Sequence, residues 1–195
     1  MKITDGTGGG FAAAVDEFHQ LKVLAVTSTA QHEASERGYA YQVIGETATL
    51  TSATVPILHI LNTSSTDELV FTYIRMTTAD GNATIPAIAQ YFGIGFGRTY
   101  GSGGTATVPV NMNAGSGNVA PATCYGNTPT LAGTNVEFEK LYNKAEGELY
   151  VFNKEGSIIL PPNKTIEFYY VGTSTAGQAI CRASFYTQPL GGRQT

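Results

Sequence analysis

Charge is what this sequence has least of. Only 13% of its 195 residues are Asp, Glu, Lys or Arg, about half the usual share. The 11 Lys and Arg residues stand singly, with no basic cluster interleaved with aromatics, and the net charge is −4. A nucleic-acid binder shows a basic stripe that displaces counterions from phosphates, so this balance argues against nucleic acid as a partner. Tryptophan is absent, which removes the Cys…Trp…Cys core of an immunoglobulin domain. Aspartate is scarce and no Asp-x-Asp calcium loop occurs. No apolar run approaches the ~20 residues of a membrane span. No charged-then-apolar leader is visible at Met1. The expectation is a soluble protein made in a cytosol, without a membrane partner. Cysteine is limited to Cys124 and Cys181. In that compartment they are expected as two free thiols, Cys181 within an apolar strand, against a disulfide or a reactive nucleophile.

Gly, Thr, Ser and Asn take the place of charge. That is the composition of an all-β protein with polar, uncharged loops, and it suits surfaces where subunits pack side by side with few charges to desolvate. A chain of this length fits one large β domain, or one domain with arms, and needs no staple to bury a core.

The organising stretch is Thr54 to Thr77. Val55 to Leu61 and Leu69 to Met76 are apolar on both faces, and Asn62-Thr63-Ser64-Ser65-Thr66-Asp67 between them is a block of turn formers. They are expected to form a hairpin. Doubly apolar strands lie centrally in a sandwich or under another subunit.

Residues 1 to 21 are expected as an N-terminal arm. MKITDGTGGG reads as flexible, and Phe11 to Leu21 as one short amphipathic helix with Phe11, Val15 and Phe18 on one face. Those three residues are candidates for docking on a neighbouring subunit, or equally for packing on their own domain. Lys22 to Thr29 is expected as the first strand and Gln31 to Arg37 as a polar crossing. Tyr39 to Ile44 and Glu46 to Leu50 read as strands parted by Gly45. Ile85 to Phe96 reads as a strand with a bulge or bend at Gly93, Gly95 and Gly97. Residues 98 to 135 form a Gly/Thr/Asn-rich insert with short strands at Thr105 to Met112 and Val119 to Cys124; inserts of this length are usually functional. Val136 to Tyr142 pairs with Glu148 to Phe152, Ser157 to Leu160 leads through Pro161-Pro162-Asn163 into Thr165 to Val171, and Ala179 to Tyr186 is the last strand. Residues 22 to 188 form the domain and 189 to 195 a frayed tail. About ten short strands with turn signals every eight to twelve residues predict an antiparallel β-sandwich of jelly-roll type.

Chemistry is sparse. His32, Glu33 and Glu36 read as a solvated turn rather than a metal site. His19 is isolated, and His59 lies in an apolar strand as a core or interface histidine. Gly93-Ile94-Gly95-Phe96-Gly97 lacks the βαβ context of a dinucleotide loop. Glu137/Glu139 and Glu146/Glu148 are the close carboxylate pairs, and i, i+2 spacing puts each on one strand face, more often solvated than catalytic. The expectation is therefore no catalytic, cofactor-binding or metal residue, and no enzyme. Tyr100 and Tyr125, on the insert, form an alternative ligand surface able to stack on sugar rings.

A resemblance adds to this reading. The Gly-rich arm, then HEASERGYAY (His32 to Tyr41), ILHILNTSSTDELVF (Ile57 to Phe71), SGGTATVPVNMNAGSGNVA (Ser102 to Ala120) and GSIILPPNKTIEF (Gly156 to Phe168), together resemble the jelly-roll virion proteins of tailed bacteriophages, the group that includes capsid decoration and cement proteins. The resemblance runs from about residue 8 to 188 and carries over no active-site residue. It implies a structural protein of the virion that binds the outside of an icosahedral head, as a homotrimer or less often a dimer. Its partners would be itself and the major capsid protein. Similar jelly rolls serve as head fibres or tail parts that bind host receptor or glycan, which is the alternative.

Overall fold

Two antiparallel sheets, packed face to face, are built from short strands whose side chains alternate between core and outside. The computed structural model describes residues 29–47, 49–50, 53–79, 90–142, 149–153, 158–172 and 177–190. Helix α1 (Ala30–Glu36) comes first, its N-cap Thr29 accepting a hydrogen bond from the His32 N–H at 3.2 Å. The strands are β1 (Ala40–Glu46), β2 (Thr54–Asn62), β3 (Asp67–Ala79), β4 (Tyr91–Phe96), β5 (Thr99–Ser102), β6 (Thr105–Thr107), β7 (Val110–Asn111), β8 (Ala122–Gly126), β9 (Thr130–Ala132), β10 (Val136–Tyr142), β11 (Tyr150–Phe152), β12 (Ile158–Leu160), β13 (Thr165–Val171) and β14 (Gln178–Pro189). The first sheet runs β11-β3-β14-β1-β7, with β12 also on β3; the second runs β10-β4-β13-β2-β8-β6; β5 and β9 form a separate ribbon. The expected all-β antiparallel sandwich is the fold observed.

The organising stretch is central, as its double apolarity requires, but it is not a hairpin. β2 pairs with β13 and β8, while β3 pairs with β14, β11 and β12. The polar turn is a corner that carries the chain from one sheet to the other. Asn62 holds it: its amide donates to the carbonyls of Asp67 (2.8 Å) and Leu160 (2.9 Å), and its side-chain oxygen accepts from the Ser64 N–H. The fully buried side chains include Phe71, Phe168 and Phe185. Phe71 lies 6.3 Å from Phe168 and 5.5 Å from Phe185, ring to ring, so it joins the two sheets. Each such ring contributes about 1.5–3 kcal/mol by leaving water.

A bulge changes the faces of β3. Ser184 faces Tyr73 and Phe185 faces Phe71, so Thr72 is extra. Leu69 and Phe71 before it, and Ile74 and Met76 after it, therefore all point into the core. Strict alternation would have divided them.

Other local expectations are corrected. Gln31 to Arg37, the expected polar crossing, forms helix α1 and the turn after it. β1 runs straight through Gly45, where a Cβ would lie 2.7 Å from the Ile57 carbonyl oxygen, and no strand follows over the described residues to Leu50. β4 is regular. Gly93 and Gly95 leave room for the Tyr169 ring and the Asn135 side chain, which cross it, and only Gly97 turns, at φ +93°. The strand expected over Thr105 to Met112 breaks at Val108-Pro109 into β6 and β7, which join different sheets. β10 and β11 also belong to different sheets and do not pair. The expected arm, its helix with Phe11, Val15 and Phe18, His19, and the strand body over 22–28 lie outside the described residues, as do Glu146 and Glu148.

The insert leaves the second sheet after β4 and returns to it as β10. Between these, it adds β6 and β8 beyond β2 and β7 beyond β1. One segment thus borders both sheets on the same side of the sandwich. Helix α1 lies on the outer face of the first sheet, Ala34 packing on Ala40, Val70, Tyr186 and Ile159.

Candidate functional site

Polar side chains gather on the outer face of the second sheet. In β2 Leu58 and Ile60 point into the core, so His59 points out; in β13 Ile166 and Phe168 do the same for Glu167; in β8 Cys124 does it for Tyr125. Register sets them side by side. Tyr125 faces His59, His59 faces Glu167, Glu167 faces Gly95, and Gly95 faces Glu137.

Although they point outward, His59 and Glu167 are each only 1% exposed. Arg98, just beyond the turn at Gly97, closes over them. Its Nη2 lies 3.0 Å from Glu167 Oε2, with the two side chains 19% and 1% exposed. His59 Nε2 lies 3.1 Å from the Arg98 carbonyl oxygen and donates to it. In the neutral ring that leaves Nδ1 bare, and this atom has no hydrogen-bond partner among the described residues. Burial pushes the Glu167 carboxyl up, against the smaller downward pull of the Arg98 charge. Burial also lowers His59, outweighing its hydrogen bond to the Arg98 backbone, so the ring is neutral at pH 7. A buried ion pair with a neutral imidazole beside it clamps the start of the β5/β9 ribbon to the sheet.

The ribbon brings the two tyrosines of the expected ligand surface together. Tyr100 and Tyr125 stack with centroids 3.6 Å apart and planes 4° from parallel. Both are half-buried, and the Tyr100 hydroxyl donates to the Gly103 carbonyl at 3.0 Å. Farther along the same face, Glu137 accepts from the Tyr169 hydroxyl at 2.8 Å and pairs with Lys140 at 3.0 Å. The Lys140 hydrogen bond, then that of Tyr169, holds the Glu137 carboxyl below its ordinary range.

The register shifts between Glu137 and Glu139, with Glu137 opposite Gly95 and Glu139 opposite Ile94. The pair therefore does not share a face as i, i+2 spacing predicts. His32 and Glu36 form an exposed i, i+4 pair on α1 at 3.2 Å, a contact of little energetic worth in water; the segment is a solvated helix face rather than a solvated turn. Cys124 and Cys181 are free and buried. Burial pushes the Cys124 thiol up to about 12 and Cys181 well up, so neither is a thiolate at neutral pH. Among the described residues no group of three His, Cys, Asp or Glu could hold a metal ion, and no helix is long and apolar enough to cross a membrane.

Arg98 and Glu167 escaped the sequence reading. The available signal was a single carboxylate in the middle of an otherwise uncharged strand, Thr165 to Val171. A charge there requires a covered partner. The chain matches no family model, no curated protein and no solved structure.

Proposed function

We propose that this chain is a structural protein of a tailed-bacteriophage virion, a capsid decoration or cement protein. It binds the outside of the icosahedral head as a homotrimer, with the major capsid protein as partner. The observation that carries the reading is a pair of unlike apolar edges. On one, beside β7, Val108, Val110, Met112 and Val119 are 43–79% exposed; on the other, Val136, Phe138 and Tyr142 of β10 and Val151 of β11 are 45–63% exposed. Unlike edges join head to tail, and head-to-tail contacts form rings where the rotation between copies closes. A trimer is the smallest such ring.

The strand order supports the jelly-roll type. β1, β14, β3 and β11/β12 lie in one sheet, and β2, β13, β4 and β10 in the other. The chain changes sheet between successive members of this set except from β4 to β10, which is the weave of two Greek keys. The arm with Phe11, Val15 and Phe18 would reach the shell or an adjacent copy, and many weak contacts on a repeating lattice would then add up.

Antibody labelling of intact particles, read by electron microscopy, tests the assignment. Label over the whole head agrees with decoration; label confined to a tail tip or one vertex refutes it. A monomeric mass for the purified chain in solution refutes the ring. The Tyr100–Tyr125 stack favours a second reading, a tail or head-fibre module that binds host receptor or glycan. Glycan-array binding that disappears on Tyr100→Ala would establish that reading.

A further inference from the structure

Among the described residues, six buried side-chain polar atoms lack a hydrogen bond, and five of them meet on one row of the second sheet: His59 Nδ1, both Glu167 oxygens, Arg98 Nε and Asn135 Oδ1. Asn135 joins the row over Gly95, where its Oδ1 lies 1.9 Å from the place a Cβ would take, and Gly95 is the cross-strand partner of Glu167. The Arg98–Glu167 contact at 3.0 Å is thus an ion pair without an aligned hydrogen bond. Buried polar atoms are nearly always satisfied, so five together need a physical account. Four of the five are acceptors, and what suits them is a donor or a positive charge. Arg98 already places one charge there, and a divalent cation beside it would be repelled. A proton adds a single charge and takes no space.

We propose that His59 and Glu167 form a proton-binding latch: one proton taken from solvent bridges His59 Nδ1 and Glu167 Oε1, and Arg98 is thereby released from the sheet. The two residues are direct cross-strand partners, with Cβ atoms about 4.5–5.5 Å apart, so rotation about their χ angles brings the two atoms within reach. As Nδ1–H the proton donates to the carboxylate; as O–H it donates to the ring. One proton satisfies two bare atoms in both cases, and no bond between heavy atoms changes. The carboxylate charge that held Arg98 is then neutralised or shared, and Arg98, 19% exposed, can turn to water. The ribbon depends on this hold. β5 and β9 form a two-stranded sheet of their own, which is marginal in water by itself, and Arg98 and the Tyr100–Tyr125 stack fix it to the sandwich.

Facing His59 are Arg98 from the turn, Glu167 from β13, Tyr125 from β8 and, stacked on Tyr125, Tyr100 from β5. β4 offers Gly95, beyond which lies Glu137 of β10, already held by Lys140 and Tyr169. Lys164, in the turn before β13, lines a groove with Thr99 and Thr165. Burial raises the carboxyl and lowers the imidazole. The pair therefore takes up its proton as a unit between the two ordinary values, from about pH 6.5 down to about 4.3. The latch is independent of the place the protein takes on a particle.

The test is nuclear magnetic resonance on the full chain, unaltered apart from isotope labels, with His59→Gln and Glu167→Gln assigning the two signals. At neutral pH the His59 ring should show a bare Nδ1 and a protonated Nε2. As pH falls, Nδ1 and the Glu167 carboxyl carbon should shift with a common midpoint. Over the same range the protection of the amides at 99–102 and 130–132 from hydrogen exchange should fall about tenfold relative to that of β2 and β13, the equivalent of ~1.4 kcal/mol. In Glu167→Gln the common step should be gone and ribbon protection should stay level. Separate midpoints for the two groups, or a ribbon in the parent chain as protected at the acid end of the range as at neutral pH, overturns the latch. A His59 ring in contact with a bound water at every pH overturns it too, because a solvent bridge then stands in place of the shared proton.

Discussion

Replacing Arg98 by Met leaves Glu167 as a buried carboxylate without its cation. Removing one partner of a buried pair costs about 3–5 kcal/mol, whereas replacing both with well-packed apolar groups of similar volume is close to neutral. Arg98 is 19% exposed while Glu167 is 1% exposed, so water already reaches the guanidinium side, and the expected loss is near the lower end, ~3 kcal/mol. Against a typical total of about 5–15 kcal/mol this is large. The double variant Arg98→Met/Glu167→Met should return to within ~1 kcal/mol of the parent. The pH dependence carries a second signature. Burial raises the Glu167 carboxyl and Arg98 opposes that rise, so loss of Arg98 raises it further. The folded variant then binds a proton that the unfolded chain has released, over the range between the ordinary carboxyl value and the raised one. Stability in that window increases as pH falls, by up to ~1.4 kcal/mol per unit. Urea unfolding at pH 5, 6 and 7 reads both effects. Hydrogen exchange over 99–102 and 130–132 locates the loss at the ribbon. A loss under ~1 kcal/mol at pH 7, or a double variant no more stable than the single, would refute a buried pair that clamps the ribbon.

Gly93→Ala puts a methyl where a Cβ lies 2.1 Å from Tyr169 Cζ; the ring must leave Glu137, at an expected cost of about 1–3 kcal/mol, while Gly117→Ala, with nothing within 4 Å, should leave the melting temperature nearly unchanged. His59 is lowered in the fold, so its contribution is complete above about pH 6.5 and is lost as pH falls toward the lowered value; His59→Gln should remove that slope from a stability–pH profile, and an unchanged slope would assign it elsewhere. A thiol reagent at pH 8 should modify neither Cys124 nor Cys181 in the folded chain and both in urea; fast native labelling of Cys124 would contradict its burial.

The sequence reading succeeded where one residue pattern has one physical outcome. Val55 to Leu61 and Leu69 to Met76 carry too much apolar surface on both faces to lie at an exposed edge, and β2 and β3 are interior strands. It failed where the deciding contact is distant. A polar stretch between two strands fits a hairpin and a sheet-to-sheet corner equally; the second is selected by Asn62 binding Leu160, nearly a hundred residues away. Bulges at Thr72 and Phe138 reassign faces without altering composition. Tyr100 and Tyr125 were readable as exposed-loop aromatics, whereas their stacking depends on the ribbon fold. Arg98 and Glu167 looked unremarkable because each is a single charge, and only the register of β13 with β4 brings Glu167 beneath the turn that delivers Arg98.

β13 and β14 are the last strands described, and each lies in the interior of its sheet, β13 between β4 and β2 and β14 between β3 and β1. Ala40 hydrogen-bonds along a ladder that places it opposite Tyr186. During synthesis the second sheet cannot close until residues near 171 have left the ribosome, because until then β2 and β4 have no strand between them, and the first cannot close until residues near 186 follow, because until then β1 lacks its partner on one side. Such long-range pairing makes for slow folding. It also sets an order on assembly. A nascent chain that lacks β13 and β14 has neither sheet complete, so the proposed recognition between copies would wait for these two strands, and chains ended before them would not enter the proposed ring.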